Sequence, residues 1–147
     1  MNTQKEIANE LNSLLANYQI YYQNLRGFHW NIQGRDFFEL HLKFEELYND
    51  AAVKIDEVAE RILTIDHTPL HSFADYLERA TLTAVKDVHD GETAVKTVVD
   101  NLGAIVEQQK NIRKFAEDAE DGATADMMAT FIEEQEKTLW MYKAWLK

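Results

Sequence analysis

One segment of the sequence carries a row of side chains that are able to bind a metal ion. His41, Glu45, Asp56 and Glu60 stand at helical spacing, and at 100° per residue they fall within an arc of about 100° on one helix face. Imidazole and carboxylate groups are ligands that iron, manganese and zinc accept, and the chain has no cysteine to offer a thiolate. The pattern therefore predicts a metal site built from histidine and carboxylate.

The spacing of these residues excludes a site within one straight helix. His41 and Asp56 are 15 residues apart, which is about 22 Å along a helix, whereas metal–ligand bonds are about 2 Å long. Bundles that bind two metals internally use Glu-x-x-His on two helices, and the sequence contains no such motif. Two copies of the helix packed antiparallel about a two-fold axis would bring the His41/Glu45 end of one against the Asp56/Glu60 end of the other, twice per dimer. His29, at the end of the preceding helix, would add a ligand beside His41.

Each of these residues also has an ordinary explanation. His29 continues an apolar stripe and could be an ordinary buried histidine of the core. His41 and Glu45 could form an ordinary i,i+4 contact on the helix. Asp56 and Glu60 could lie on a face that is exposed to solvent. A helical bundle whose polar stripe only fixes a dimer interface therefore stays open as an alternative.

Four long segments with apolar residues at helical spacing position these side chains. The first begins at Thr3 and ends at Gly34, the second begins at Asp36 and stops before Pro69, the third runs from about Asp90 to Ala119, and the fourth from about Thr124 to Leu146. Turns at Gly34 and Gly122 predict two antiparallel hairpins.

About 25 residues join the second and third helices, and they include a short amphipathic piece near Ser72 to Val85. Two tight hairpins joined by one long crossover are typical of the ferritin-like four-helix bundle. We therefore predict an all-α, ferritin-like four-helix bundle with a short extra helix in the crossover, as a single domain over residues 1–147. No motif recurs at a fixed period, which argues against a repeat protein.

Composition narrows the classes of function. The formal net charge of −11 repels nucleic-acid phosphates and attracts cations. The alternative is that the negative charge only keeps the protein soluble, as in most acidic proteins. The first twenty residues lack a basic patch followed by an apolar run, and no apolar stretch is long enough to span a bilayer. The expectation is a cytoplasmic protein without a membrane partner.

The stretch from His29 to Leu63 resembles the Dps family, the mini-ferritins. The resemblance rests on Phe28-His29-Trp30-Asn31, Phe37-Phe38-Glu39-Leu40-His41 and Ile55-Asp56-Glu57-Val58-Ala59-Glu60-Arg61, together with the twelve-residue interval between the two histidines. The helix order and Leu139-Trp140-Met141 extend the likeness over essentially the whole chain.

The resemblance implies a hollow homododecamer that oxidises Fe(II), in this family typically with hydrogen peroxide, and stores the ferric mineral. Each ferroxidase site would hold two iron ions at a two-fold interface, and zinc or manganese could substitute. Carried over by position, His29, His41 and Glu45 come from one subunit and Asp56 and Glu60 from its partner. The family commonly has Asp where this chain has Glu45, which puts direct ligation by Glu45 in question.

Other residues take roles by the same resemblance or from their placement. Trp30 resembles the family's aromatic electron donor, with an ordinary core or interface tryptophan as the alternative. Glu46 and Asp50, with Glu57, predict a cavity-facing surface for mineral nucleation. Asp121 and Asp126 would line three-fold pores, and a solvated acidic turn is the alternative there.

DNA binding is disfavoured. Family members that bind DNA often use lysine-rich terminal tails, but this sequence begins Met1-Asn2-Thr3-Gln4-Lys5-Glu6 and has only Lys147 after Leu146. A nucleoid-compacting structural protein with an incidental metal site is the alternative function.

Overall fold

The computed structural model describes residues 3–147, and these residues form five α-helices and no β-strand. The helices are α1 (Thr3–Asn31), α2 (Phe37–Thr64), α3 (Phe73–Arg79), α4 (Gly91–Asp118) and α5 (Gly122–Leu146). α1 packs against α2 and α4, α4 packs against α5, and α3 lies on α1. The predicted ferritin-like bundle with a short helix in its crossover is confirmed.

The core is built from the apolar stripe of each long helix. Leu14 of α1, Phe44 of α2, Ile105 of α4 and Met128 of α5 are all completely buried. Burial of such a stripe, more than the intrinsic helix propensity of the residues, is what stabilises helices in a bundle. Tyr22, which continues the apolar spacing of α1, is only half-buried and packs at the edge of the core.

Two buried asparagines of α1 attach the crossover to the bundle. Asn17, which is 3% exposed, accepts hydrogen bonds from the amides of Thr81 (2.8 Å) and Leu82 (3.1 Å). Asn24 accepts one from the amide of Val85 (3.0 Å) in the same way. The asparagines thereby bond to backbone amides that have no helical carbonyl as a partner in this extended segment.

These contacts explain why the crossover helix is shorter than the predicted piece from Ser72 to Val85. The side chain of Ser72 caps α3 by accepting a hydrogen bond from the Asp75 amide at 3.2 Å. The helix ends at Arg79, and Ala80 is already extended. The chain beyond Ala80 stays extended because its amides bond to α1 instead of to a helical carbonyl.

The turn between α4 and α5 has a left-handed residue that is not glycine. Gly122 is the first residue of α5, whereas the left-handed residue of the turn is Glu120, with φ 61°. The amides of Glu120 and Asp121 bond to the carbonyls of Glu117 (3.0 Å) and Ala116 (2.8 Å). This pattern is the Schellman closure of a helix, in which glycine is the usual left-handed residue. The predicted tight turn between the two helices is confirmed, and its left-handed residue is Glu120, two residues before Gly122.

Three buried polar side chains form a closed hydrogen-bonded ring between α1, α4 and α5. The Tyr18 hydroxyl donates to Gln109, Gln109 Nε2 donates to Gln135 Oε1 (2.6 Å), and Gln135 Nε2 donates back to the Tyr18 hydroxyl (2.8 Å). Burial raises the pKa of Tyr18 above its ordinary value, so the hydroxyl keeps its proton. The ring therefore fills this point of the core with neutral polar groups that satisfy one another's hydrogen bonds.

A buried lysine connects α2 to α5. Lys54 is 4% exposed, and its Nζ lies 2.8 and 2.9 Å from the two carboxylate oxygens of Asp50 and 2.7 Å from Glu134 Oε2. Burial alone would lower the pKa of Lys54, but the hydrogen bonds to both carboxylates outweigh it and raise the pKa above its ordinary value. The ammonium therefore stays charged and forms ion pairs with both acids, which offsets part of their negative charge.

Candidate metal centre

His29 and His41 face each other where α1 ends and α2 begins. Their imidazole rings are stacked, with centroids 3.8 Å apart and planes inclined by 13°. Nδ1 of His29 lies 2.6 Å from the backbone oxygen of His41, and Nδ1 of His41 lies 2.7 Å from the backbone oxygen of His29. The connection between the helices contains Gly34 with φ 103°, a left-handed conformation that glycine adopts readily. The tight turn thus brings two predicted ligands together.

The reciprocal hydrogen bonds determine which ring nitrogen of each histidine is free. A carbonyl oxygen can only accept, so each neutral ring must carry its proton on Nδ1 and donate it there. Nε2 then keeps its lone pair, which is the form of imidazole that binds a metal ion. Metal-binding histidines are usually oriented through such a bond from their other nitrogen. Both rings are therefore held in a metal-binding tautomer.

Glu45 adds a carboxylate to the histidine pair. Its Oε1 lies 3.6 Å from Nε2 of His29. Two ligand atoms that each lie about 2 Å from one ion are at most about 4 Å apart, so these two atoms can share an ion. The ring of Phe37 stacks on His41 with centroids 5.0 Å apart and covers that side of the pair.

Asp56 and Glu60 lie far from the histidines of the same chain. Both are exposed on α2, and the rise of the helix places Asp56 about 22 Å from His41. Within residues 3–147, no group of three or more histidine, aspartate or glutamate side chains is arranged to hold a metal ion. The structure brings His29, His41 and Glu45 together, and it leaves Asp56 and Glu60 at the other end of the helix.

The helix face of α2 that carries these residues also has exposed apolar side chains near both ends of the helix. Phe38 is 84% exposed, and Leu42 and Leu63 are more than half exposed. At 100° per residue, Phe38 and Leu63 lie on the same helix face as His41 and Asp56. Large apolar side chains exposed beside polar ones are typical of a surface that contacts another protein.

Comparison with known proteins identifies the family. The sequence matches the ferritin-like domain family over residues 8–147. The solved structure of a Dps protein from Vibrio cholerae O1, described as a member of a broad superfamily of ferritin-like diiron-carboxylate proteins, has a TM-score of 0.98 and 49% identity, over 99% of this chain and 91% of that chain. The solved structure of a Dps protein from Bacillus brevis has a TM-score of 0.97 and 38% identity, over 100% of this chain and 99% of that chain. The chain belongs to the Dps family.

A curated relative agrees with this assignment. The DNA protection during starvation protein of Porphyromonas gingivalis is 42% identical over 135 residues, which are 92% of this chain and 85% of the relative. The resemblance to Dps found in the sequence is therefore confirmed. Within residues 3–147, none of the helices of this Dps-family chain combines the length and the apolar character needed to cross a membrane.

Trp30, the predicted electron donor of this Dps-family chain, lies beside the centre but points to the surface. It is 55% exposed, and the guanidinium carbon of Arg26 lies 4.8 Å from its ring centroid. The ring that contacts His29 edge-on is instead Tyr48, with centroids 5.3 Å apart. The electron-donor role of Trp30 stays a prediction.

Two of the three acids predicted for mineral nucleation, Glu46 and Asp50, have different surroundings. Glu46 is exposed and lies 3.2 Å from the ammonium of its neighbour Lys43. Asp50 binds the buried Lys54 through both of its oxygens. A carboxylate that already neutralises a buried ammonium is less available to an arriving cation, so Glu46 is the better nucleation candidate of the two.

The two acids predicted for the pores also differ. Asp121 caps α5 by accepting hydrogen bonds from the amide (3.0 Å) and hydroxyl (2.6 Å) of Thr124, and it forms an ion pair with Arg61 at 2.9 Å. Burial opposes ionisation of Asp121, but the hydrogen bonds from Thr124 and the charge of Arg61 outweigh it and lower its pKa. Asp126 is exposed on α5. Asp121 therefore has a structural role, and Asp126 is the better pore candidate.

The sequence places Tyr48 on the same face of α2 as His41, which lies seven residues before it, but indicates no role for Tyr48. The contacts of Lys54 were missed. The Asp50–Lys54 spacing indicates an i,i+4 pair, but the second partner, Glu134, is 80 residues away and has no local signal.

Proposed function

We propose that this Dps-family chain is a ferroxidase and iron-storage subunit that oxidises Fe(II) with hydrogen peroxide at sites shared between two subunits. The observation that carries the proposal is the pair His29 and His41, which are held in the metal-binding tautomer with Glu45 beside them. These three side chains are too few ligands to hold the metal ions within one chain. Such a half-site becomes useful only when a neighbour completes it, and Asp56 and Glu60 are the exposed carboxylates that can do so.

A single register of two antiparallel α2 helices supports the pairing. About a two-fold axis at the midpoint between residues 50 and 51, His41 lies opposite the partner's Glu60 and Glu45 lies opposite the partner's Asp56. The same register places the exposed Phe38 opposite the partner's Leu63. One two-fold rotation therefore pairs the imidazole of His41 with a carboxylate of the partner. The same rotation covers Phe38 and Leu63 near the two ends of α2.

The chemistry of the reaction favours a site for two iron ions. Two Fe²⁺ with one H₂O₂ and two H⁺ give two Fe³⁺ and two H₂O, so each iron loses one electron and the O–O bond breaks without releasing a radical. Neutral Nε2 atoms and carboxylate oxygens suit Fe(II), and zinc or manganese would compete for the same ligands. The carboxylates of both subunits would stabilise the increased charge of the ferric products.

A closed shell, which we infer to be a homododecamer, would store the product. Glu46 and Glu57 are exposed on α2 and would nucleate mineral, and Asp126 would attract Fe(II) at a pore. Protection of DNA would then be chemical, through removal of iron and peroxide. Direct DNA binding is not needed, and the net charge of −11 opposes it.

Anaerobic titration calorimetry with Fe(II), followed by addition of peroxide, tests the proposal. We expect saturable binding of two ions per site, consumption of one peroxide for two Fe(II), and a soluble ferric product. His41→Ala should abolish tight binding, whereas His71→Ala, an exposed histidine of the crossover, should not change it. Equal binding by the two variants would refute the site, and a gel shift at physiological salt would favour the DNA-compacting alternative.

A further inference from the structure

The first turns of α2, which carry His41, are not held by a side-chain cap of that helix. The N-cap side chains of α3, α4 and α5 each accept a hydrogen bond from a backbone amide of their own helix, whereas Asp36, the N-cap of α2, makes no such bond within residues 3–147. Glu39 stands three residues after Asp36, the spacing of a capping box, but its carboxylate bonds to another helix. The position of this end of α2 therefore depends on contacts from outside the helix.

The last turn of α5 supplies such a contact. The indole Nε1 of Trp145 donates a hydrogen bond to Oε1 of Glu39 at 3.0 Å. The same indole lies against Gly91, the first residue of α4, where a Cβ atom would be 3.3 Å from the ring and 2.8 Å from Cδ1 of Leu40. Both distances are shorter than the best separation of two carbon atoms, so the absence of a side chain at Gly91 leaves room for Leu40 and Trp145. One indole thus joins the start of α2, the start of α4 and the end of α5.

The end of α1, which carries His29, is held separately by the crossover. The amide of Gln33 donates to the backbone oxygen of His89 at 2.8 Å, and Nδ1 of His89 lies 3.1 Å from the backbone oxygen of Asn31. Because His29 and His41 bond to each other's backbone oxygens, their bonds of 2.6 and 2.7 Å depend on where both helix ends lie. A displacement of the start of α2 would lengthen both bonds at once.

We propose that Trp145 is a positioning residue of the candidate metal centre, and that its hydrogen bond to Glu39 holds the start of α2 where His29 and His41 can exchange their hydrogen bonds. The inference rests on the proposed function. Trp145 acts through the backbone of α2 and not as a ligand. Without its bond, each imidazole is less firmly oriented, and a proton that moves to Nε2 takes up the lone pair that binds a metal ion. The result is weaker metal binding by an unchanged set of ligands.

The test uses the assembled protein and Co(II), whose binding titration calorimetry measures without any oxidation. Trp145→Phe keeps an aromatic ring but removes the N–H donor, and Glu39→Ala removes the acceptor. Each variant should bind Co(II) about tenfold more weakly, the lower end of the loss found when a hydrogen bond that orients a metal ligand is removed. The double variant should be no weaker than either single variant, because both changes remove the same interaction.

Two further variants separate positioning from charge and from general stability. Glu39→Gln removes the charge but keeps an oxygen that accepts from the indole, so it should bind Co(II) like the unmodified chain. Trp140→Phe is the matched control, because Trp140 lies on the same helix but is 65% exposed, and it should not change the affinity. Glu39 is exposed, so its variants carry the test even if Trp145→Phe fails to assemble.

The outcomes distinguish this inference from the proposed function. A lower melting temperature with unchanged Co(II) affinity in Trp145→Phe and Glu39→Ala would make Trp145 a structural residue only and overturn the inference. Binding by Glu39→Gln that is as weak as binding by Glu39→Ala would also overturn it, because charge would then explain the effect. If the unmodified chain binds Co(II) no better than His41→Ala, the site of the proposed function itself is refuted.

Discussion

Complementation between two inactive variants would show whether each site takes ligands from two chains. His41→Ala removes a ligand from one end of α2, and Asp56→Asn removes one from the other end, about 22 Å away. Each variant alone should lose rapid iron oxidation, because every site in its assembly lacks one ligand. A mixture should behave differently if the sites are shared.

The recovery expected from the mixture follows from two-fold symmetry. In a dimer of one His41→Ala chain and one Asp56→Asn chain, one site lacks both ligands and the other lacks neither. Random pairing of equal amounts makes about half of the dimers mixed, so about one quarter of all sites should be intact. The initial rate of ferric absorbance after peroxide addition should therefore return to about one quarter of the value for the unmodified protein.

A second mixture provides the matched control. His41→Ala combined with Glu45→Gln should not recover, because both residues belong to the half-site of the same chain and no pairing restores a complete set. Native mass spectrometry would verify that mixed particles have formed. Mixed particles of His41→Ala and Asp56→Asn that stay as slow as either variant would refute sharing, and equal recovery in both mixtures would exclude the proposed arrangement.

Three further changes test how the fold is held. Asn17→Ala removes the acceptor of two crossover amides, so urea denaturation should show a free energy of unfolding lower by about 2 kcal/mol. Unchanged hydrogen exchange at the amides of Thr81 and Leu82 would contradict this prediction. Glu120→Gly relieves the left-handed turn residue and should raise thermal stability by roughly 0.5–1 kcal/mol, whereas a lower melting temperature would argue against strain there. The lowered pKa of Asp121 means that its ionised form stabilises the fold above its unfolded pKa near 3.8, and this stability is lost as the pH falls through the folded value. Asp121→Asn should therefore flatten the acid side of the stability curve, and an unchanged slope would count against this role.

The long helices could be predicted closely because local signals agree with the tertiary structure. α4 was predicted from about Asp90 to Ala119, and these residues are its N-cap and C-cap. The cap residue and the apolar spacing of α4 act within the helix itself, so the sequence shows them directly.

The crossover and the second helical turn could not be predicted in the same way. Asn17 and Asn24 lie seven residues apart on the buried stripe of α1, a spacing that indicates burial, but their partners are about sixty residues away. Glu120 was missed because helix closure usually uses glycine, and Gly122 stood two residues further on. In the crossover, contacts with residues far away in the sequence determine the structure. In the turn, a residue other than glycine takes the left-handed conformation.

The candidate site was predictable as a set of residues but not in its detail. The helical period placed His41, Glu45, Asp56 and Glu60 on one face, and the rise per residue predicts that a second chain completes the set. The exchange of hydrogen bonds between His29 and His41, which fixes both tautomers, depends on the path of the backbone around Gly34 and has no sequence signature. The edge-on contact between the rings of Tyr48 and His29 likewise depends on how α1 packs against α2.

If two chains associate through α2 as proposed, the exposed apolar side chains of that helix make the association sensitive to concentration and temperature. Phe38 and Leu63 would leave water only when two chains meet, and the hydrophobic contribution to such a contact weakens on cooling. Dilution and low temperature should therefore both favour dissociated chains, and each departing chain would keep its two histidines but lose the carboxylates opposite them. Any condition that weakens the contact between two α2 helices would therefore also stop the oxidation of Fe(II).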